Sequence, residues 1–302
     1  MKIAITGATG LIGTALIRVL AEQGHALTAL SRQSPQGLPQ RAGLAWLRGD
    51  LSDPEIARRL VGGQDVVVHL ANESVPLGGG SDLAADARRN LLPSLNLIDA
   101  IEQAGEPVKV IFLSSGGAVY GAASAREPFR ETHRCEPALL YGAHKLAVEN
   151  YLRVAAIRKV LSAVVLRVAN AYGGVLPPDS MQGIIGTSVA RVRAGRPLRL
   201  VGNPDNIRDY VHVDDVAGAI LSALSCDTDF DIFNVGSGRG TSTLEVLKLI
   251  QASAPTPTGI STEDISGSQW LPSWCVLDVS KAGRQLGWKP SVSLEQGIQG
   301  MF

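Results

Sequence analysis

An apolar strand that runs straight into a spaced glycine turn constrains this chain more than any other feature. KIAIT at residues 2–6 leads into Gly7-Ala8-Thr9-Gly10-Leu11-Ile12-Gly13, after which Leu16, Ile17 and Leu20 fall at helical spacing. Glycines at a strand-to-helix turn allow a tight bend and close backbone approach, and the free N–H groups and positive end of the helix then receive a pyrophosphate. A dinucleotide is the expected ligand of Gly7, Thr9, Gly10, Leu11, Ile12 and Gly13. A glycine triplet alone also suits a tight turn with no ligand, so its placement directly after a strand carries the inference.

The rest of the first half repeats that rhythm. HALTALS, DVVVHLA, VKVIFLSS and SAVVLRVAN are short β-branched runs, separated by longer helical patterns that include residues 82–104 and 141–158. Alternation of this kind predicts successive βαβ units, hence an α/β fold with a doubly wound parallel sheet covered by helices on both faces. Near residue 171 the rhythm gives way to Gly- and Pro-rich stretches, YGGVLPPDS and RAGRPLRLVGNPDN, where a smaller C-terminal substrate-binding lobe is expected. VDDVAGAILSAL and DIFNVGS bring back a helix and a strand. The expected division is therefore a dinucleotide-binding domain over 1–170, to which the chain partly returns at about 210–240, and a lobe over 171–302.

Composition narrows the function classes. Lys plus Arg and Asp plus Glu both number 28, so no global field draws the protein to nucleic acid or an anionic membrane. Cys135, Cys226 and Cys275 are scattered and odd in number, which argues against a disulfide framework or a zinc site and predicts no metal. Neither a signal peptide nor a run of about 20 apolar residues is visible, so a cytoplasmic location is expected.

At the end of the second strand the sequence reads Ala29-Leu30-Ser31-Arg32, with no acid to receive ribose hydroxyls. The Arg32 guanidinium suits the 2′-phosphate of NADP, whereas an ordinary solvated loop arginine is the plainer alternative. Tyr141 and Lys145 lie four apart in YGAHKLAVENYL with Glu149 one turn on, so the pair shares one helix face. A nearby ammonium favours the phenolate and tunes a tyrosine for acid/base work, although an isolated YxxxK is common by chance.

Taken in order, GATGLIG, GDLSD, HLAN, SSGGAVYG, YGAHK, RVANAYG, RDYVHVDD, NVGSGRGTS and DVSKAGRQLGWKP span nearly the whole chain. As a set they resemble the extended short-chain dehydrogenases, in particular the nucleotide-sugar epimerase, dehydratase and 4-ketoreductase branch. The resemblance implies a Rossmann-type fold, NAD or NADP as cofactor and a nucleotide-diphosphate sugar as substrate. Ser31, Asp50, Leu51, Leu70, Ala71, Asn90 and Ser114 are then expected beside the cofactor, Asp50 and Leu51 flanking its adenine. By the same resemblance, Lys145 is also expected to hold nicotinamide-ribose hydroxyls, Tyr141 to exchange a proton with a sugar hydroxyl or ketone, and Asn170 and Arg208 to meet the diphosphate or sugar. It also implies a homodimer, formed by the helices around 82–104 and 141–158.

Two departures bear on those expectations. The family's Ser or Thr three residues before the Val of VYG is Gly116 here, which leaves Ser115 either as its substitute or as a purely structural or cofactor-contacting serine. Near the C-terminus, charged diphosphate contacts are replaced by Ser268-Gln269-Trp270-Leu271-Pro272; Trp270 and Trp274 suit stacking on a base, but more often such residues pack. Gly117 and Ala118 occupy the places of the Asp-Glu pair that dehydratases use. For Arg208 the plainer alternative is a salt bridge to Asp209, Asp214 or Asp215, and His212 is expected to be structural. A 4-epimerase and a 4-keto-sugar reductase therefore both fit, and Gly116 keeps a catalytically silent NAD(P)-binding redox sensor or assembly protein as the rival.

Overall fold

The computed structural model describes residues 1–33, 40–73, 82–123, 125–180, 182–263 and 272–302. Through the first half the chain runs β1 (Lys2–Thr6), α1 (Leu11–Glu22), β2 (Ala26–Ser31), β3 (Leu44–Arg48), α2 (Pro54–Val61), β4 (Val66–His69), α3 (Leu83–Asn90), α4 (Leu92–Ala104), β5 (Lys109–Ser115), α5 (Gly116–Val119), α6 (Leu140–Ile157) and β6 (Ser162–Val168). It continues through β7 (Asn170–Tyr172), α7 (Ile184–Arg193), β8 (Leu198–Val201), β9 (Ile207–His212), α8 (Val213–Leu224), β10 (Phe230–Val235), β11 (Gly240–Ser242), α9 (Thr243–Ser253), β12 (Ile260–Glu263), β13 (Trp274–Cys275), α10 (Ser280–Gln285) and α11 (Leu294–Gln299).

Seven strands form one parallel sheet in the order β10-β6-β5-β4-β1-β2-β3. Because strand side chains alternate faces, β5 sends Ile111 and Leu113 to one side, with Leu16 and Leu20 of α1 and Ile220 of α8, and Val110 and Phe112 to the other, with Leu97 of α4 and Leu152 of α6. Both faces are thus covered, as a buried parallel sheet requires. The order of strands reverses between β1 and β4, and in such sheets ligands bind outside the carboxyl ends at that reversal.

One expected element is corrected. Residues 82–104 form two helices: Leu91 is the boundary, and Pro93 opens α4 at a position where its missing N–H costs no helical bond. Asp82 caps α3 by accepting the Ala85 N–H at 2.9 Å.

Beyond the large sheet, β9 carries β7 and β13 in parallel and β11 antiparallel, while β8 pairs with β12. A separate apolar cluster gathers Ile185, Val189, Leu198, Leu247, Ile250 and Ile298 from α7, β8, α9 and α11. Trp274 is buried against Phe129 at a centroid distance of 5.9 Å, so it packs and offers no face for stacking on a ligand. Residues 268–271, including Trp270, lie outside the described residues. Among the described residues, no helix is long and apolar enough to cross a membrane.

Candidate active site

The glycine turn is shaped by contacts that exclude side chains. Gly7 has φ +63°, and a Cβ on it would lie 2.8 Å from the Ala71 nitrogen. On Gly13 a Cβ would meet the Gly7 carbonyl oxygen at 2.4 Å. Gly10 caps α1 without a side chain, leaving the first-turn N–H groups to an external anion. The residues present therefore fit a dinucleotide pyrophosphate.

Across the sheet reversal, Thr6 Oγ1 accepts the N–H groups of Leu70 and Ala71 at 3.0 and 3.1 Å and contacts His69 Nδ1 at 2.8 Å. His69 Nε2 faces Ser94 Oγ at 2.8 Å, and burial, with Lys145 nearby, pulls the imidazole down to about 3, so it is neutral. This Thr6–His69–Ser94 chain, which sequence reasoning missed, fixes the turn after β4 against the turn after β1.

A cavity of about 260 Å³ opens at this point. It is lined by Gly7, Thr9, Gly10, Ser31, Arg32, Asp50, Leu51, Leu70, Ala71 and Asn90, all expected from the sequence, together with Glu73 and Arg89, which were not. Leu11, Ile12 and Gly13 form the first turn of α1 beside it. Asn90 is buried; its amide donates to the Asp86 carboxylate at 3.1 Å and its oxygen accepts the Glu73 N–H at 3.1 Å. Arg32, its side chain 64% exposed, pairs through its guanidinium with Glu73 and lies 3.9 Å from Asp50 at the cavity rim.

On α6, Lys145 is buried and donates from Nζ to the Leu113 carbonyl at 2.7 Å. Its Nζ lies 5.9 Å from the Tyr141 ring centroid. Burial lowers Lys145 to about 8, with Glu149 acting the other way. Burial pushes the Tyr141 phenol up, and a hydrogen bond from Ser115 opposes that rise.

The hydroxyl question raised by Gly116 has a geometric answer. A Cβ on Gly116 would lie 2.6 Å from Leu277 Cδ1 and 3.2 Å from the Arg167 carbonyl oxygen, so this position faces the packed interior. Ser115, one residue earlier, faces Tyr141. Ser114 is buried, its hydroxyl donates to Glu149 at 2.5 Å, and it is not among the residues that line the cavity.

Toward the second part of the chain, Asn170 donates from Nδ2 to the Asp209 carbonyl at 3.0 Å. A Cβ on Gly117 would be 3.9 Å from both Asn170 Nδ2 and Ser115 Oγ, which places the two polar groups around one space. Arg208 is partly buried and donates to the Ile207 carbonyl at 2.8 Å, and burial lowers its pKa. The salt bridges considered for it do not form. Asp209 receives Ser237, Gly238 and Leu277, Asp214 pairs with Arg18 at 2.7 Å, and Asp215 receives Ser291 and Val292. His212 caps α8 by accepting the Asp214 N–H at 3.3 Å.

Comparison with known proteins points to one family. A family model described as the NAD dependent epimerase/dehydratase family matches residues 3–236. Dehydro-sugar reduction is represented by the dTDP-4-dehydro-6-deoxyglucose reductase of Escherichia coli, 28% identical over 97% of this chain and 94% of that protein. The UDP-glucose 4-epimerase of Mycolicibacterium smegmatis is 31% identical over 99% of this chain and 96% of that protein. Among solved structures, the UDP-glucose 4-epimerase of Thermus thermophilus in complex with NAD superposes with a TM-score of 0.88 at 31% identity, covering 99% of this chain and 97% of that one.

Proposed function

The chain belongs to the NAD dependent epimerase/dehydratase family, and from that premise we propose that it carries out NAD(P)-dependent oxidoreduction at C4 of a nucleotide-activated sugar, as a 4-epimerase or a 4-keto-sugar reductase. The observation that carries the proposal is the convergence of Ser115 and Lys145 on Tyr141. Tyr141 exchanges a proton with the C4 oxygen, and Ser115 hydrogen-bonds the same oxygen. Lys145 keeps a positive charge beside the phenol and so favours its ionised form during transfer. A bound dinucleotide supplies the hydride acceptor and donor at nicotinamide C4. Arg208, which has no carboxylate partner among the described residues, grips the diphosphate, with Asn170 at the sugar side.

NAD dependence is the family property; a preference for NADP is our finer reading. It rests on Ser31 and Arg32 standing where an acid would otherwise receive the ribose. Residues 1–170, together with α8 and β10, form the dinucleotide-binding part, and most of 171–302 forms the substrate lobe. We place the protein in the cytoplasm as a homodimer. The large apolar side chains of Leu83, Leu92, Tyr151, Val154 and Ile157 are exposed on α3, α4 and α6 and suit burial against a second copy.

Denaturing freshly purified protein and identifying the released dinucleotide by mass spectrometry tests the choice between the two activities. Near-stoichiometric NAD supports a self-recycling epimerase and contradicts the role given to Arg32. An empty site, or NADP in traces, supports a reductase that exchanges its cofactor each turnover. Failure to bind either dinucleotide on re-addition contradicts the proposal as a whole.

A further inference from the structure

Tyr141, Lys145 and Glu149 stand at i, i+4 and i+8 on α6, and each meets a different residue at the end of β5. Ser115 reaches Tyr141, the Leu113 carbonyl receives Lys145 at 2.7 Å, and Ser114 donates to Glu149 at 2.5 Å. Glu149 is 1% exposed. Arg167 of β6 clamps it, with Nη2 2.6 Å from Oε2 and Nε 3.1 Å from Oε1. An ion pair this deep often contributes little net stability over an apolar replacement, so its position calls for a second reason.

We infer that Glu149 is a positioning residue for proton transfer, the fixed counter-charge that lies one helical turn beneath the buried Lys145. The inference rests on Tyr141 and Lys145 forming the proton-transfer pair. Among the described residues, the elements packed around Lys145 bring no competing charge to it. From β4 comes His69, which is neutral; from β5, the Phe112 ring at 4.8 Å and the Leu113 carbonyl. On β6, Arg167 is committed to Glu149, and on α6 itself Tyr141 is protonated until it reacts. Glu149 is thus the anion that offsets burial and favours the ammonium form of Lys145. Arg167 and Ser114 hold that carboxylate at a fixed depth.

The test is a pH titration of Lys145 in the full chain without sugar or dinucleotide. The probe is the Cε–Hε signals of isotope-labelled lysine, with Lys145 assigned by its loss in Lys145→Met. The wild-type signal is expected to titrate near 8. In Glu149→Gln its midpoint should fall by about one unit or more. An unchanged midpoint overturns the inference. If Glu149→Gln fails to fold because Arg167 is left buried without an anion, Arg167→Gln and Glu149→Gln/Arg167→Gln, which both lack the guanidinium, differ only in the carboxylate, and the difference between their midpoints is read by the same two outcomes. Since no turnover is measured, failure of the proposed activity and failure of this inference are separate results.

Discussion

Ser115 lies beside Tyr141 and opposes the rise that burial gives its phenol, while the next residue, Gly116, faces Leu277 in the packed interior. Reversing that arrangement should separate chemistry from folding. Ser115→Ala is expected to fold normally and lose about 100-fold in kcat, the usual effect of removing one donor from a reacting oxygen. Gly116→Ser should not rescue it. Its added atoms would press on Leu277 and the Arg167 carbonyl, so denaturant unfolding should show a loss of about 1–3 kcal/mol.

Tyr141→Phe removes the exchanged proton and leaves the ring. Turnover should fall by about 10²–10⁴-fold, while calorimetric affinity for the dinucleotide changes little. Unchanged turnover in this variant would remove Tyr141 from the mechanism.

Arg32 and Glu73 form an ion pair at the rim of the cofactor cavity, and a 2′-phosphate must draw Arg32 away from that carboxylate. Arg32→Ala should weaken NADP binding by about tenfold or more and barely alter NAD, consistent with the loss of charge-assisted hydrogen bonds. Glu73→Gln should shift the preference the other way, toward NADP. Equal effects on both dinucleotides in Arg32→Ala would show that Arg32 does not read the phosphate.

Lys145 makes activity and stability respond oppositely to pH. Burial lowers its pKa from 10.5 to about 8 in the folded chain, so the ammonium that assists Tyr141 is lost as pH rises through about 8. Stability follows the reverse sign. Between about 8 and 10.5 the unfolded chain binds more protons than the folded one, so stability rises with pH across that window. Relative to Lys145→Met, the wild-type protein without cofactor should gain up to about 3 kcal/mol between roughly pH 7 and 11. Denaturant titrations of both proteins at the two pH values measure the difference.

If α6 lies in a homodimer interface, a charge on its exposed apolar face should break the assembly. Val154→Glu/Ile157→Glu is expected to sediment as a monomer with its helical content preserved, and a wild-type protein that already sediments as a monomer would contradict the dimer.

Much of the fold was legible because buried parallel strands write themselves as short apolar runs, as KIAIT and VKVIFLSS do. The break at Leu91 was hidden because Pro93 sits in the first turn of α4, where proline is tolerated, and the apolar spacing runs on through it. Local spacing also placed Tyr141, Lys145 and the glycine turn. The direction of Ser115 could not be read, since a strand's last residue leaves the regular alternation as the chain bends into α5. Partners distant in sequence, such as Arg167 for Glu149 or Ser94 for His69, become neighbours only through sheet order and carry no spacing signal.

Both candidate activities share one step, delivery of hydride to C4 of a keto sugar. The most direct measurement loads the protein with reduced dinucleotide deuterated at nicotinamide C4, adds a dTDP-4-keto sugar or its UDP counterpart, and locates the label in the product by NMR. Deuterium at the sugar C4, lost in Tyr141→Phe, is the predicted result. Absence of label from the sugar with either dinucleotide, in protein shown to bind both cofactor and nucleotide sugar, would contradict it.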